Sequence, residues 1–132
     1  MPDDPILLGP DEGEAVSPHL TVKADREELV VTEMRYRPGQ RGPEPHVHKL
    51  HCDVFYVVEG EIVVEIEGEP QRVPQFGFAL VPPGVRHTFR NESDAPARIL
   101  NVHAPGTRFA EYVRRMVAGD DFDHTEYDSW FD

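Results

Sequence analysis

Short runs of Val, Ile, Phe and Tyr recur along the chain between turn residues, and in several of them apolar and polar positions alternate. A period of two sends successive side chains to opposite faces of a strand, so each alternating run predicts a half-buried strand. In "ELVVTEMRYRPG", Val30, Thr32, Met34 and Tyr36 alternate with Val31, Glu33, Arg35 and Arg37, giving one mostly apolar and one mostly polar face. "DVFYVVEGEIVVEIEGEPQRV" reads as two strands joined at Glu59-Gly60-Glu61, with a second reversal at Glu67-Gly68-Glu69-Pro70, where Gly and Pro supply turn geometry. The expected connection is an antiparallel meander. "FGFALVPPGVRHTFRN" turns around Pro82-Pro83-Gly84, and "ARILNVHAPG" provides a last strand before Pro105-Gly106. Many short strands between regular turn signals predict an all-β sandwich or barrel. The apolar residues Phe55, Val57, Phe78, Leu80 and Phe89 are expected to form the walls of that barrel or of a pocket within it.

The period changes to a helical one near the C-terminus. In "TRFAEYVRRMVAGDD", Phe109, Tyr112, Val113, Met116 and Val117 form a single stripe, which predicts a helix over residues 107–118 packed on an open end or edge of the barrel. Thr107 is placed as its N-cap and Gly119 as its stop. The expected organisation is an N-terminal arm over 1–18, a barrel domain over 19–106, the helix, and an acidic tail over 119–132. Phe122, Tyr127, Trp130 and Phe131 interrupt the acids of that tail. Two readings stay open for it: a solvated tail with its aromatics loosely on the barrel, or an anchor on a neighbouring subunit.

Composition narrows the function classes. A chain of 132 residues fits one domain with one core. Cys52 is the one cysteine, which excludes an intramolecular disulfide and any CxxC motif and points towards a reducing, cytoplasmic setting. The opening is acidic and broken by proline, unlike a secretory signal, and no apolar run is long enough to span a bilayer. With 25 acidic against 13 basic residues the formal charge is −12, a field that repels phosphate backbones and anionic membrane surfaces and attracts cations. Nucleic acid and membrane are therefore not expected partners.

Candidate chemistry concentrates in "EPHVHKLHCDVFYVVEG", residues 44–60. His46 and His48 are two apart and share one face of an extended strand, a spacing that suits chelation of one ion. His87 follows "VPPGVR" and opens another strand, which the topology can bring beside the first. His51 and Asp53 share a parity opposite to that of His46 and His48 unless a β-bulge intervenes between 48 and 53. For His51, a metal ligand, a residue that orients a ligand or substrate, and a plain polar group at the barrel mouth all stay open. Cys52 reads as a small buried hydrophobe, His103 as a strand-end histidine or a pocket residue, and His19 and His124 carry no assigned role.

Two spaced motifs then resemble those of the cupins. The first reads Gly39 or Gly42, His46-Val47-His48, four residues, Asp53, six residues, Gly60; the second reads Pro82-Pro83-Gly84, two residues, His87, three residues, Asn91. The resemblance runs from about Leu29 to His103 and is nearest to small single-domain, quercetin dioxygenase-like cupins. It implies an antiparallel β-barrel of the double-stranded β-helix or jelly-roll type with a divalent transition metal (Fe, Mn, Ni, Zn or Cu) in its pocket. By that resemblance His46, His48 and His87 are metal ligands, and Asp53 stands where the family has a glutamate. Aspartate is one methylene shorter, roughly 1.5 Å of reach. The implied activity is that of a metal-dependent dioxygenase, with Asp53 or His51 as catalytic base and His51, Phe55, Phe89 and His103 around the substrate. A non-catalytic small-molecule binder and a metal-dependent isomerase or lyase are the alternatives. A homodimer is expected by analogy with the family.

Overall fold

The computed structural model describes residues 4–131. Nine strands, one α-helix and one 3-10 helix follow in order: β1 Glu14–Ser17, β2 Leu20–Asp25, β3 Val30–Tyr36, β4 Cys52–Glu59, β5 Ile62–Ile66, β6 Glu69–Val73, β7 Phe78–Val81, β8 His87–Arg90, β9 Ala97–Ala104, α1 Phe109–Ala118, and the 3-10 helix His124–Tyr127. All strand pairs are antiparallel, in a six-stranded sheet of order β1-β2-β3-β9-β4-β7 and a three-stranded sheet of order β6-β5-β8. This is the jelly-roll arrangement. The two sheets enclose a core that includes Met34, Phe55, Val57, Ile62, Val64, Val81, Phe89 and Ile99. Among the described residues no helix is long and apolar enough to cross a membrane.

Alternation places the faces as expected in β3, where Val30, Thr32 and Met34 point inward, and in β4, where Asp53, Phe55 and Val57 do. The expected meander through β4 and β5 is corrected. β4 pairs with β9 and β7, whereas β5 pairs with β6 and β8, so the Gly60 turn carries the chain from one sheet to the other. Gly60 has φ 76°, and a Cβ there would overlap the Pro96 carbonyl oxygen. Only glycine adopts that backbone cheaply. Gly60→Ala should therefore destabilise the barrel by at least about 2 kcal/mol in denaturant unfolding; an unchanged midpoint would refute the corner role.

Phe78 and Leu80 are also corrected as pocket walls. They are 63 % and 52 % exposed because the β4–β7 register pairs Ala79 with Phe55 and Val81 with Asp53, which turns Ala79 and Val81 inward. Residues 14–17, expected within the arm, form the edge strand β1 on β2. The helix begins at Phe109, with Arg108 rather than Thr107 at the N-cap and no side-chain cap. Thr107 instead donates its hydroxyl to the Gly106 carbonyl. Gly119 closes the helix at φ 75°, as read from the sequence.

The tail is not a solvated appendage. Tyr127 and Ser129 are buried, Tyr127 joins Val22, Val30, Tyr112 and Val113 in a second apolar cluster, and Trp130 pairs with Val47 through backbone hydrogen bonds of 2.8 and 3.0 Å. Its aromatics are satisfied on the chain's own barrel. The apolar area they remove from water stabilises the docked tail, while the acids between them stay hydrated.

Candidate metal centre

Three elements bring the candidate ligands together. Residues 41–51 run as an irregular segment whose His46 pairs with His87, by His46 N–H to the His87 carbonyl at 3.0 Å and the reverse bond at 2.9 Å. The Pro83-Gly84 turn holds the same segment, with Gly84 N–H donating to the His48 carbonyl at 2.7 Å. β4 then adds Asp53. The parity conflict between His48 and Asp53 is resolved by a bend at 49–51 rather than by a paired bulge, so His46, His48, His51, Asp53 and His87 are all buried. One ligand atom from each of His46, His48, Asp53 and His87 lies within 4.8 Å of the other three.

Hydrogen bonds fix the tautomers. The Nδ1 atoms of His46, His48 and His87 lie 2.8, 2.8 and 3.0 Å from the carbonyl oxygens of Glu44, Asp128 and Val85. A carbonyl only accepts, so each Nδ1 carries the proton and each Nε2 of the neutral ring keeps a lone pair. His87 Nε2 nevertheless lies 2.8 Å from Asp53 Oδ2, and His48 Nε2 lies 3.4 Å from it without a hydrogen bond. Lone pairs facing a carboxylate at such separations need a cation between them, either a proton on the ring or a metal ion shared by the set. Donors bound at about 2.1 Å to one ion stand about 3.0–3.4 Å apart at octahedral to tetrahedral angles; the 3.4 Å pair falls in that range and the 2.8 Å pair is about 0.2 Å closer, so a small outward shift of His87 would seat a transition metal. Asn101 Nδ2 donates to Asp53 Oδ1 at 2.6 Å and to the Val54 carbonyl at 2.9 Å, which orients the carboxylate despite its short side chain.

Electrostatics reinforce this state. Burial raises the Asp53 carboxyl, but the His103, His48 and His87 nitrogens around it more than offset that and hold it well below 3.8. A carboxylate held so low is a poor proton acceptor and a good ligand. Burial, with His87 next, pushes His46 down to about 3. Burial, with His48 and His103 next, pushes His51 down to about 4. Below the ordinary histidine value of about 6.5 the unfolded rings take protons that these folded rings refuse, so stability falls as the pH drops. Asp53 adds loss in the same direction at still lower pH. Metal-stripped protein should thus lose as much as about 4 kcal/mol of unfolding free energy between pH 7 and pH 5, from two rings each protonating only when unfolded; equal denaturation curves at the two values would contradict it.

Two features escaped the sequence. His103 sits directly across from Asp53 in the β4–β9 register, with Nε2 3.4 Å from Asp53 Oδ1 and its ring stacked on Phe109 at 3.5 Å. Sequence reasoning assigns it to the pocket but not to the ligand cluster. Asp128, in the tail, has no role in that reading. Its carboxylate accepts from Lys49 N–H at 2.9 Å, Leu50 N–H at 2.7 Å and His51 Nδ1 at 2.7 Å, while its carbonyl receives His48. The spacing of Asp and Trp in "YDSWFD" carries no signal of this.

Beside the cluster lies a cavity of about 120 Å³, mostly apolar, bounded by Met34, Phe89, His103, Tyr112 and Phe131 with His46, His48 and Asp53 at its polar end. Of the residues expected around a substrate, Phe89 and His103 are on its wall. Phe55 lies in the core behind Phe89, at 4.8 Å between ring centroids, and His51 is turned to Asp128 and off the wall.

A family model described as a cupin domain matches residues 32–103. The chain belongs to the cupin family. Among curated relatives, polyketide synthase CurC of Streptomyces cyaneus is 41 % identical over 66 residues, 48 % of this chain and 41 % of that protein. The tetracenomycin polyketide synthase protein TcmJ of Streptomyces glaucescens is 33 % identical over 63 residues, 48 % of this chain and 42 % of that one. The chain thus spans about half the length of the curated relatives it matches. Among solved structures, TT1209 of Thermus thermophilus is 31 % identical with a TM-score of 0.61, covering 70 % of this cupin and 90 % of that chain. KdgF of Halomonas sp., at 22 % identity and a TM-score of 0.63 over 76 % of this chain and 91 % of that one, shares the fold.

Proposed function

We propose that this cupin is a metal-dependent enzyme of dioxygenase type, with His46, His48, His87 and Asp53 holding a divalent transition ion and a small enolisable or hydroxylated molecule occupying the adjoining cavity. The observation that carries it is the convergence of Nε2 lone pairs on the buried Asp53 carboxylate at 2.8 and 3.4 Å. When bound, the ion supplies Lewis acidity, lowering the pKa of a substrate hydroxyl and orienting it. The chain's own residues do the rest. Asn101 and three backbone carbonyls hold the ligands in register, and Met34, Phe89 and Phe131 exclude water from the apolar end.

The cavity is on the scale of one small ring, given that a cavity of ~150 Å³ accommodates benzene. Two matched relatives carry "polyketide synthase" in their names, and the alternating carbonyls of a polyketide are readily enolised, which supports an enolisable substrate. Of the two bases expected, His51 is set aside because it faces Asp128 and not the cavity. Asp53 is assigned to the metal. A homodimer is supported by the outward apolar face shared by Tyr56, Phe78 and Leu80 on β4 and its edge neighbour β7.

Elemental analysis after loading with each candidate ion, paired with oxygen uptake over a panel of cyclic 1,3-diketones and phenols, tests this reading. One tightly held equivalent and metal-dependent oxygen consumption are expected. No metal under any loading condition would sink the ligand assignment. Product formation without oxygen would move the reaction to an isomerase or lyase, and stabilisation by a ligand without turnover would make the barrel a binding module.

A further inference from the structure

Two donor sets meet at His48. Beside the set containing Asp53, one ring nitrogen from each of His48, His51 and His103 lies within 4.8 Å of the other two, and all three residues are buried. This second set contains no carboxylate, and the function proposed above leaves His51 and His103 unused as ligands. Their rings adjoin, with centroids 4.1 Å apart for His48–His51, 4.9 Å for His51–His103 and 5.4 Å for His48–His103.

The hydrogen bonds around these rings leave lone pairs inside. His51 Nδ1 lies 2.7 Å from Asp128 Oδ2, and His48 Nδ1 lies 2.8 Å from the Asp128 carbonyl. Both partners accept, so both rings carry their proton on Nδ1 and keep Nε2 as an acceptor. His48 Nε2, His51 Nε2 and His103 Nδ1 have no hydrogen-bond partner among the described residues, and these three residues are 3 %, 1 % and 1 % exposed. His103 Nε2 faces Asp53 Oδ1 at 3.4 Å, which places that ring's proton on Nε2 and leaves Nδ1 an acceptor as well. A buried acceptor without a donor is costly, so three on adjoining rings call for an occupant. A water has two hydrogens for three acceptors. A transition-metal cation accepts all three lone pairs at once.

We propose that His48, His51 and His103 form a second, all-nitrogen seat for a transition-metal ion, sharing His48 with the seat that contains Asp53. His48 has one free lone pair, so one seat at a time has its complete donor set. Imidazole-only sites favour Zn(II), Ni(II) and Cu(II), whereas Mn(II) favours a carboxylate oxygen. The pair of seats therefore sorts ions by softness: Mn(II) at His46, His48, Asp53 and His87, and Zn(II) at the histidine triad. The inference rests on the metal-binding reading above and adds selectivity to it.

The test uses the whole chain stripped of metal, with Mn(II) binding followed by loss of the free-ion EPR signal and Zn(II) binding by competition with a chromophoric chelator. His51→Asn keeps an N–H donor near the Nδ1 position for Asp128 and removes Nε2. His103→Phe keeps the stack on Phe109 and removes both nitrogens, so it carries the test if the first variant does not fold. His46→Asn is the counterpart in the other seat. His51→Asn is expected to weaken Zn(II) at least about tenfold with Mn(II) little changed, His103→Phe, whose ring also adjoins Asp53, to weaken Zn(II) at least about tenfold and more than Mn(II), and His46→Asn to weaken Mn(II) more than Zn(II). Unchanged Zn(II) affinity in both triad variants, or equal losses for the two ions, overturns the second seat while leaving the first intact. Failure of the wild-type chain to bind either ion overturns both readings.

Discussion

His87→Ala should abolish stoichiometric Mn(II) binding at the seat that contains Asp53, and any turnover, while leaving the barrel folded. His87 contributes two separable things to the structure. Its backbone exchanges a pair of hydrogen bonds with His46, and these survive truncation at Cβ. Its Nε2, 2.8 Å from Asp53 Oδ2, does not. Loss of groups that merely orient a ligand lowers metal affinity by about 10–100-fold, so loss of a ligand itself should exceed that range. The variant should still melt cooperatively, because the core residues Phe55, Val64 and Phe89 remain in place. Dialysis of the Mn(II)-loaded protein against graded chelator followed by elemental analysis reads the affinity; a variant that retains one equivalent of Mn(II) as tightly as the wild type would remove His87 from the site, and with it the shared-cation account of the Asp53 contacts.

Much of this centre was legible in the chain because its information is local. His46 and His48 are two residues apart, Asp53 follows shortly after them, and the Pro83-Gly84 turn before His87 has a direct structural purpose, since Gly84 N–H holds the His48 carbonyl. What stayed hidden was non-local. His103 belongs to the cluster because β9 pairs with β4 in a register that sets it opposite Asp53, fifty positions earlier, and no spacing rule carries that register. Phe78 and Leu80 have the composition of a core strand, yet pairing to β4 turns them outward. Gly60 reads as a hairpin turn yet forms a corner between the sheets, because a glycine with positive φ serves a change of sheet as well as a reversal within one. The tail was the largest gap. Its acidic composition described its exposed side, while its buried side depends on a single aspartate meeting a bend 77 residues away.

That aspartate sets the second large effect. Asp128→Ala is expected to destabilise the protein by about 2–4 kcal/mol and to weaken metal binding by about 10–100-fold, although Asp128 is placed outside the ligand set. The stability loss follows from the donors left behind: the Lys49 and Leu50 N–H groups regain water because both residues are exposed, but His51 Nδ1 is buried and exchanges a charged acceptor at 2.7 Å for the Thr107 hydroxyl at 3.2 Å alone. Alanine at φ 62° adds backbone strain that aspartate and asparagine tolerate better. The metal effect follows from geometry. The bend at 49–51 is what puts His48 and Asp53 on one side of the barrel, and Asp128 caps that bend while its carbonyl sets the His48 tautomer. Asp128→Asn separates the contributions. It keeps the backbone carbonyl, the φ and an oxygen acceptor for the bend, and loses the acceptor for whichever donor its amide nitrogen replaces. It should therefore recover most of the stability and part of the affinity. If Asp128→Ala matched the wild type in both melting temperature and metal affinity, the tail would be packing alone, and the order in the histidine segment would have to come from the barrel without it.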